Sequence, residues 1–500
     1  MAGIAFQRDI LKKLSELSSV YIVGGAVRDA QLGIPSNDVD AVMALSLREI
    51  QQVLAGWGYK PHVIGAKQQT VSLFQGSDRV DIVPFDGELE MDALRRDFTI
   101  NALYEDVRTG ELRDPLNGLE DLKIRRLKAC GCAADRFKED PLRILRLVRF
   151  AVKYHMELEL LTGQAALDLV PQLGSVSTER VTEELGKILI LDEIDKALGL
   201  LYDLGYFQTY IPELARLKGL VQNRYHTKDA WEHTRQVVKN TPARLLLRLS
   251  ALFHDLGKWE TASRECFAWG TLKYAAHSYR VNEFKLIGKN LERWKPIRSF
   301  LKKKYEWVPE GKRHFLQHEK ESTRLVEQLL PRFRWSMVLP GGSRGERELL
   351  FLVGHHMMGT LTFIRDIKEE VPDSKLFKKA RRFAWEMGWD GQKFDLQRVE
   401  NLLDLWKADF LGGKQDAANY LARLDWVQSE IRNSCVALKE RDHSLDWKPF
   451  EKFVRGKELA GVRFGHFKEQ VRWQVMMDQE ASLDDTQFLE KEYKVFWNKS

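Results

Sequence analysis

The chain has 500 residues, too many for one hydrophobic core, so several domains are expected. The formal net charge of +6 is modest for this length and permits a nucleic-acid partner without requiring one. The four cysteines form no CxxC pair, which excludes a disulfide framework and predicts reduced thiols. No apolar run reaches the length needed to span a bilayer, and the first 19 residues carry charges throughout. The sequence therefore predicts a cytoplasmic protein without membrane contact.

The most informative stretch lies near the amino terminus, where the apolar segment VYIV leads into Gly24 and Gly25. Two glycines after a strand let the backbone approach a phosphate, because no Cβ stands in the way. Arg28 adds a fixed positive charge where a triphosphate would lie. Asp38 and Asp40 share one face of the next strand and suit a cation such as Mg²⁺. The combination favours nucleotide chemistry over a glycine turn followed by a solvated acidic loop.

The rest of the first 125 residues reads as a small α/β domain. Ser46 and Glu49 form a capping box that predicts the start of a helix. Asp81 is a further candidate metal carboxylate, and the alternative is a solvated strand residue. The predicted helices cover 6–18 and 46–57, and the predicted strands cover 20–23, 39–45, 59–64, 70–74 and 79–85.

A second charged motif, RRDFTINAL, begins at Arg95. The adjacent side chains of Arg96 and Asp97 could bind a phosphate oxygen and a ribose hydroxyl, whereas the alternative is a surface ion pair. Only nine residues, 86–94, connect this motif to the preceding strand.

A third motif, EDPLRILRLVRF, combines charged and apolar residues on one predicted helix. Asp140 is expected to cap that helix and Pro141 to be its first residue. Asp140, Arg143 and Arg146 are three residues apart and would share one face. An Asp acceptor beside an Arg donor can pair with the edge of a base. The alternative, a cap followed by exposed cations, stays open.

The second half contains histidines and aspartates in the order H…HD…H…H…D. The central pair, His254 and Asp255, lies on an apolar helix where packing alone would favour neither residue. Imidazole and carboxylate together favour a divalent metal, and the alternative is a helical domain that packs without one. The other members are His233, His318, His356 with its neighbour His355, and Asp409.

Taken in order and spacing, the motifs resemble the bacterial class II tRNA nucleotidyltransferase and poly(A) polymerase family. The segments that carry the resemblance are GGAVRD…DVD, RRDFTINAL, DPLNGLEDL, EDPLRILRLVRF and VSTERV…EL. The resemblance is strong over about residues 20–215. It implies an α+β fold, with a nucleotidyltransferase palm followed by an all-α neck, an HD-type helical domain and a helical tail. The implied domains are 1–125, 126–215, 216–420 with an insertion at about 259–313, and 421–500.

The resemblance also implies the roles of individual residues. Asp38 and Asp40 would be catalytic and hold Mg²⁺. The nucleotide would be bound by Gly24, Gly25, Arg28, Arg96 and Asp97, and its base or phosphates by Asp140, Arg143, Arg146 and Arg149. The expected partners are tRNA, CTP and ATP, and the expected reaction adds C and A to the tRNA 3′ end. A CC-adding enzyme, a poly(A) polymerase, a phosphohydrolase whose first half holds RNA and a non-catalytic RNA-binding protein are the alternatives.

The histidines and aspartates of the second half carry a resemblance of their own. The H…HD…H…H…D order resembles an HD-type phosphohydrolase domain binding Ni, Co, Mn or Zn, with core ligands His233, His254, Asp255 and Asp409 and with His318 and His356 as second-metal or substrate residues. His355 could replace His356.

The basic and aromatic run 295–305 would suit an RNA backbone or form a solvated helix. Family members carry a longer flexible loop where this chain has residues 86–94. The short link leaves addition of CC only open beside full CCA addition, for which another segment, such as the insertion between Lys258 and His318, would have to replace the loop.

Overall fold

The computed structural model describes residues 2–35, 39–64, 70–75, 78–222, 228–262, 315–369, 371–390, 393–413, 417–455, 457, 461–478 and 481–499. The chain divides into two compact units, Met1–Pro212 and Glu213–Ser500. Asp38, the basic run 295–305 and nearly all of the predicted insertion lie outside the described residues.

The first unit is built on a mixed sheet with strand order β3-β4-β5-β2-β1-β6-β7. The pair β2–β5 is parallel, and the other neighbouring pairs are antiparallel. The strands are β1 Val20–Val23, β2 Val39–Met43, β3 His62–Ile64, β4 Thr70–Gln75, β5 Asp78–Pro84, β6 Tyr104–Asp106 and β7 Leu112–Arg113.

All five predicted strands are present, although the first predicted residues of β3 are not extended in the sheet. The sequence analysis missed β6 and β7, which have three and two residues. Glu105 and Asp106 in β6 interrupt the apolar pattern that marks a buried strand. The strand forms because its backbone pairs with β1, a contact that no local signal reveals.

Eleven helices are described in the first unit, and the capping box at Ser46 is confirmed. A two-stranded parallel sheet joins β8 Arg126–Leu127 to β9 Glu157–Leu158. The helices are α1 Ala2–Ser15, α2 Gly25–Gln31, α3 Leu47–Gly56, α4 Leu89–Leu94, α5 Gly118–Lys123, α6 Ala133–Glu139, α7 Arg143–Lys153, α8 Leu160–Leu169, α9 Thr178–Leu189, α10 Ile194–Asp203 and α11 Tyr206–Tyr210.

The short link between β5 and the RRD motif is partly helical, because residues 89–94 form α4. Its Ala93 belongs to a buried cluster with Val23, Val42, Phe85 and Tyr104. One part of the sheet face is thereby covered by α4. The link is an element of the core and not only a connection.

The second unit is helical throughout its described residues. A separate apolar core holds the carboxyl-terminal helices together, with Phe450 and Phe467 at its centre. None of the described helices is both long and apolar enough to cross a membrane. The helices are α12 Pro212–Ala215, which spans the division between the units, α13 Ala230–Asn240, α14 Leu245–Phe253, α15 Lys258–Thr261, α16 His318–Phe333, α17 Ser343–His355, α18 Met358–Lys368, α19 Asp373–Gly388, α20 Leu396–Gly413, α21 Leu421–Ser444, α22 Lys448–Arg455, α23 Gly461–Met477 and α24 Thr486–Lys499.

Candidate active site and histidine cluster

The glycine turn directly follows β1 and precedes α2. Gly24 has φ 75° and ψ −127°, a conformation that a residue with a Cβ rarely adopts. A Cβ added at Gly24 would lie 3.9 Å from Nη1 of Arg96. The predicted phosphate-binding turn and the predicted nucleotide-binding arginine are therefore neighbours.

Asp40 lies on β2, and its side chain is exposed. It pairs with Val23 of β1 on one side and with Asp81 of β5 on the other. Because paired residues of neighbouring strands point to the same face, the two carboxylates share a face. Asp81 accepts hydrogen bonds from Ser72 Oγ at 2.6 Å and Arg79 Nε at 2.8 Å. Its side chain is held by protein donors, and its role as a metal ligand stays a prediction.

Arg28 is buried in a polar network. Its guanidinium donates to Asp29 Oδ1 at 2.8 Å, to the Tyr154 hydroxyl at 2.5 Å and to Asn101 Oδ1. It also lies over the Tyr154 ring, 4.3 Å from the centroid. Sequence reasoning missed Asn101, which lies in the uncharged part of RRDFTINAL, and Tyr154, which lies outside the motifs. Arg28 is fixed before any ligand arrives, and its contact with a nucleotide stays a prediction.

Arg96 is held by Asp92 of α4 and Tyr104 of β6. Its Nε lies 2.8 Å from Asp92 Oδ2 and donates to the Tyr104 hydroxyl at 3.0 Å. The Tyr104 hydroxyl donates to Asp92 Oδ2 at 2.6 Å, and Arg95 also pairs with Asp92. Burial alone would raise the pKa of Asp92, but Arg96, Tyr104 and Arg95 together lower it. Asp92 is thus an ionised anchor that the sequence analysis did not single out.

Asp97 does not pair with its neighbour Arg96. Its Oδ2 accepts from Arg146 Nε at 2.9 Å and from Nη2 at 2.6 Å, and its Oδ1 accepts from Asn101 Nδ2 at 3.0 Å. Burial would raise the pKa of Asp97, yet Arg146, Asn101 and the Phe98 amide hold it below its usual value. Asn101 therefore links the Arg28 network to the Arg146 ion pair.

The EDPLR motif begins differently from the prediction. Asp140 follows α6 in an extended conformation, residues 141–142 form a turn, and α7 begins at Arg143. The extended backbone is what a residue before proline prefers. Asp140 still accepts a hydrogen bond from the Leu142 amide at 3.3 Å, which is a partial cap.

Each charged side chain of this motif has a partner in the first unit. Asp140 pairs with Arg180 at 2.7 Å, which lies on α9. Arg143 donates to the Arg95 carbonyl at 2.7 Å, and Arg149 pairs with buried Glu184 at 2.5 Å. The motif residues are oriented by the fold, and their reading of a base stays a prediction.

The histidine cluster of the second unit is compact and buried. His233 Nε2 lies 3.4 Å from Asp255 Oδ2 and 3.0 Å from Asp409 Oδ1, and His254 Nε2 lies 3.0 Å from Asp255 Oδ2. On the other side, His318 Nε2 lies 3.2 Å from Asp255 Oδ1 and 3.1 Å from His356 Nε2. Two sets of possible ligands, within 4.8 Å of one another in each set, therefore share Asp255: His233, His254 and Asp255, and Asp255, His318 and His356.

The orientation of three histidines fits a metal site. His254, His318 and His356 each place Nδ1 between 2.7 and 2.8 Å from a backbone carbonyl three residues earlier. A donor role for Nδ1 leaves the lone pair on Nε2, which is the atom directed into the cluster. His355 instead stacks on Phe351, with ring centroids 4.2 Å apart. The structure therefore brings His356, and not His355, into the cluster.

Lys258 is the cation inside this cluster. It is buried, and its Nζ lies 2.6 Å from Asp255 Oδ2 and donates to Gln222 at 2.6 Å. Burial disfavours charge on His254, but the neighbouring Asp255 outweighs it and raises the histidine pKa. Burial lowers the pKa of His356 to about 3, with His254 and His318 adding to the effect. A neutral His356 can donate its lone pair to a metal.

Two family models match the first unit. One, described as "Poly A polymerase head domain", matches residues 20–88 and 77–128. The other, described as "Probable RNA and SrmB- binding site of polymerase A", matches residues 155–218. The first model covers the sheet and the glycine turn, and the second covers the five helices from α8 to α12.

Among curated proteins, the CCA-adding enzyme of Lactococcus lactis subsp. lactis (strain IL1403) is 36% identical over 224 residues, which are 41% of this chain and 56% of the relative. The enzyme of subsp. cremoris (strain SK11) is 34% identical over 275 residues, 50% of this chain and 68% of the relative. The chain thus spans little more than half the length of the first relative. The structure of the Bacillus stearothermophilus CCA-adding enzyme with CTP aligns with a TM-score of 0.55 at 20% identity, over 99% of this chain and 98% of that one.

The sheet and the glycine turn place the chain in the class of proteins that carry a poly(A) polymerase head domain. Within that class, the chain belongs to the CCA-adding enzyme family of class II tRNA nucleotidyltransferases.

Proposed function

We propose that this protein is a divalent-metal-dependent nucleotidyltransferase that adds C and then A to the 3′ end of tRNA, using CTP and ATP. The observation that carries the proposal is the position of Asp40, which is exposed on β2, the neighbour of β1 in the sheet. Strand β1 ends at the Gly24 turn, and Arg96 lies next to that turn. The relatives named above are CCA-adding enzymes, and one of their structures holds CTP. A cytoplasmic location, where tRNA and nucleoside triphosphates meet, is part of the proposal.

The reaction follows from these positions. The terminal ribose hydroxyl of the RNA attacks the α-phosphorus of CTP, and a new phosphorus–oxygen bond forms. The bond from that phosphorus to the bridging oxygen breaks, the pyrophosphate leaves, and the hydroxyl proton is lost to solvent. Backbone amides of the glycine turn and the Arg96 guanidinium hold the triphosphate.

Carboxylate oxygens are the ligands that Mg²⁺ prefers, and exposed Asp40 offers them on an open sheet face. Asp40, together with the predicted ligand Asp38, would hold Mg²⁺, which lowers the pKa of the attacking hydroxyl and offsets charge on the leaving group. Asp140 and Arg143 are the proposed base-reading pair. The ion pair between Asp140 and Arg180 fixes one of the two before the base enters.

The experiment is to incubate tRNA lacking its terminal CCA with each nucleoside triphosphate and to size the product. Asp40→Asn should abolish addition while RNA binding is retained, because removing a carboxylate does not weaken contacts to phosphate. Asp9→Asn, a change of an exposed carboxylate on α1, is the matched control. Near wild-type turnover by Asp40→Asn would contradict the assignment.

A second activity is favoured by the histidine cluster. The shared carboxylate of Asp255 and the inward-facing Nε2 atoms suit a transition metal, such as Ni, Co, Mn or Zn. His233, His254, Asp255 and Asp409 would hold one ion, and His318 and His356 a second one with Asp255. Bound metal would supply an activated water for phosphoester hydrolysis.

The proposed substrate class is a phosphoester at an RNA end, such as a 2′,3′-cyclic phosphate. The test is hydrolysis of such ends under added Ni²⁺, Co²⁺ or Mn²⁺, with the double variant His254→Ala, Asp255→Ala as the negative control. Absence of both bound metal and hydrolysis in the wild-type protein would refute this second activity.

A further inference from the structure

We propose that the exposed sheet face beyond Asp81, formed by His62, Phe74 and Arg79, binds the 3′-terminal nucleotides of the acceptor RNA. These three residues are called the β3–β5 patch. The inference rests on the proposed nucleotide addition, and it assigns the second substrate to a surface that no motif marked.

The strand order decides on which side of Asp40 each substrate lies. Strand β2 lies between β1 and β5. The glycine turn follows β1, and Arg96 lies beside that turn, so the triphosphate occupies the β1 side of Asp40. In phosphoryl transfer the attacking and leaving oxygens are roughly in line on opposite sides of the phosphorus. The attacking RNA hydroxyl must therefore approach from the β5 side.

The pairing register places the β3–β5 patch on that side and on the same face as Asp40. Asp40 pairs with Asp81, Asp81 with Ser72, and Ser72 with His62. Arg79 pairs with Phe74, one row further along the same face. With strands about 4.8 Å apart and about 3.3 Å per residue, Phe74 lies on the order of 12 Å from Asp40.

Phe74 lies at the exposed end of β4, after a buried central part. Val71 and Leu73 point to the opposite face and are buried, whereas Phe74 is 52% exposed. A large apolar ring left open beside a catalytic carboxylate is an available platform for a ligand. The part of the same face near Val42 is covered by α4, whereas the side chains of Asp40, Phe74 and Arg79 are exposed.

The chemistry of the patch suits single-stranded RNA. The Arg79 guanidinium lies 5.6 Å from the Phe74 ring centroid, and the His62 ring meets the same ring at 5.9 Å. Asp81 holds Arg79 in place, because Arg79 Nε donates to Asp81 Oδ1 at 2.8 Å and Arg79 Nη2 lies 2.7 Å from Asp81 Oδ2. The Arg79 side chain is 43% exposed. Aromatic rings with a nearby cation stack any base. Tolerance of any base is required here, because the terminal nucleotide of the acceptor changes after each addition.

The test compares Phe74→Ala with Phe74→Tyr in steady-state addition to tRNA lacking CCA. Loss of a base-stacking ring weakens binding of the RNA end, so Phe74→Ala should raise the KM for tRNA about tenfold. The KM for CTP should stay unchanged, and Phe74→Tyr should restore the KM for tRNA. Trp57→Ala, which removes another exposed ring, at the end of α3, is the matched control and should behave as wild type.

An unchanged KM for tRNA in Phe74→Ala would overturn the inference, and so would a rise confined to the KM for CTP. Both results leave the proposed addition intact, because the wild-type protein still transfers CMP. A wild-type protein that transfers no nucleotide would instead refute the proposed function. In that case fluorescence anisotropy with end-labelled tRNA still tests the patch, and equal affinity of wild type and Phe74→Ala would count against it.

Discussion

The hydroxyl of Tyr154 accepts a hydrogen bond from Arg28 at 2.5 Å, and the Tyr154 ring lies under the same guanidinium, with its centroid 4.3 Å from Arg28 Cζ. Arg28 belongs to α2, just after the glycine turn, and Tyr154 ends α7. Tyr154 also donates to Asp29 Oδ1 at 3.0 Å. Two segments separated by more than a hundred residues are thus joined at one buried hydroxyl, and the glycine turn is held by the helix that carries the candidate base-reading arginines.

Removal of that hydroxyl tests the connection. Tyr154→Phe keeps the ring under Arg28 but removes one hydrogen bond from each of two buried partners, Arg28 and Asp29, which should cost about 1–2 kcal/mol in the free energy of unfolding. The KM for CTP should rise several-fold because α2 is less well fixed. Tyr210→Phe, whose hydroxyl bonds to the Pro171 carbonyl, is the control and should leave the KM for CTP unchanged. Equal KM values in the two variants would show that Tyr154 does not position the site.

The Asp97–Arg146 pair should govern acid stability. The pKa of Asp97 is lowered in the folded protein, so its stabilisation is present above an unfolded pKa of about 3.9 and is lost as the pH falls through the folded value. In Arg146→Met the guanidinium that lowers the pKa of Asp97 most is removed, so this pKa rises toward the direction that burial favours. The free energy of unfolding of the variant should be lower than that of the wild type by about 2–3 kcal/mol at pH 7. The difference should be smaller near pH 4, where Asp97 takes up a proton.

Urea unfolding at pH 4, 5.5 and 7 measures this difference. Arg113→Met, which breaks an exposed pair with Glu111, is the control and should change the free energy of unfolding by less than about 1 kcal/mol at every pH. Adding Asp97→Asn to Arg146→Met should remove the pH dependence of the loss. A loss in Arg146→Met that is constant with pH would contradict the assigned cause.

Metal content distinguishes the members of the histidine cluster. If Asp255 is shared between two ions, His318→Ala should lose about half of the metal bound by the wild-type protein, and His254→Ala with Asp255→Ala should lose all of it. His355 lies one residue from His356 but outside the cluster, so His355→Ala should retain the full amount of bound metal. Elemental analysis after dialysis against Ni²⁺ or Mn²⁺ measures the metal bound by each variant. A loss of metal in His355→Ala equal to that in His318→Ala would disprove the arrangement.

The length of the added tail is the decisive product measurement. Residues 86–94 are short, and Asp92 within them is buried and tied to Arg95, Arg96 and Tyr104. A link anchored in this way has little freedom to reshape a base pocket, which makes addition of two cytidines only the alternative to the proposed CCA addition. On tRNA ending at the discriminator base, with CTP and ATP present, growth by two residues supports this restriction. Growth by three, the last an A, refutes it and supports full CCA addition.

The sequence by itself determined the parts of this protein that depend on local patterns. The glycine turn, the capping box at Ser46 and the first five strands of the sheet follow from residue spacing, because a turn, a cap and an alternating strand each need only a few adjacent residues. The order of the motifs was equally sufficient for the family, because that order is a property of the chain and not of its packing.

Only the tertiary structure decided which side chains meet. Asp97 pairs with Arg146 and not with its neighbour Arg96, and His356 rather than His355 enters the histidine cluster. Phe74 became an open ring beside Asp40 only through the register of three strands. Such contacts depend on how separate elements pack, and a one-residue shift in register would reverse every side chain on a strand. Local sequence carries no measure of that packing, which is why these relationships were visible only in the folded chain.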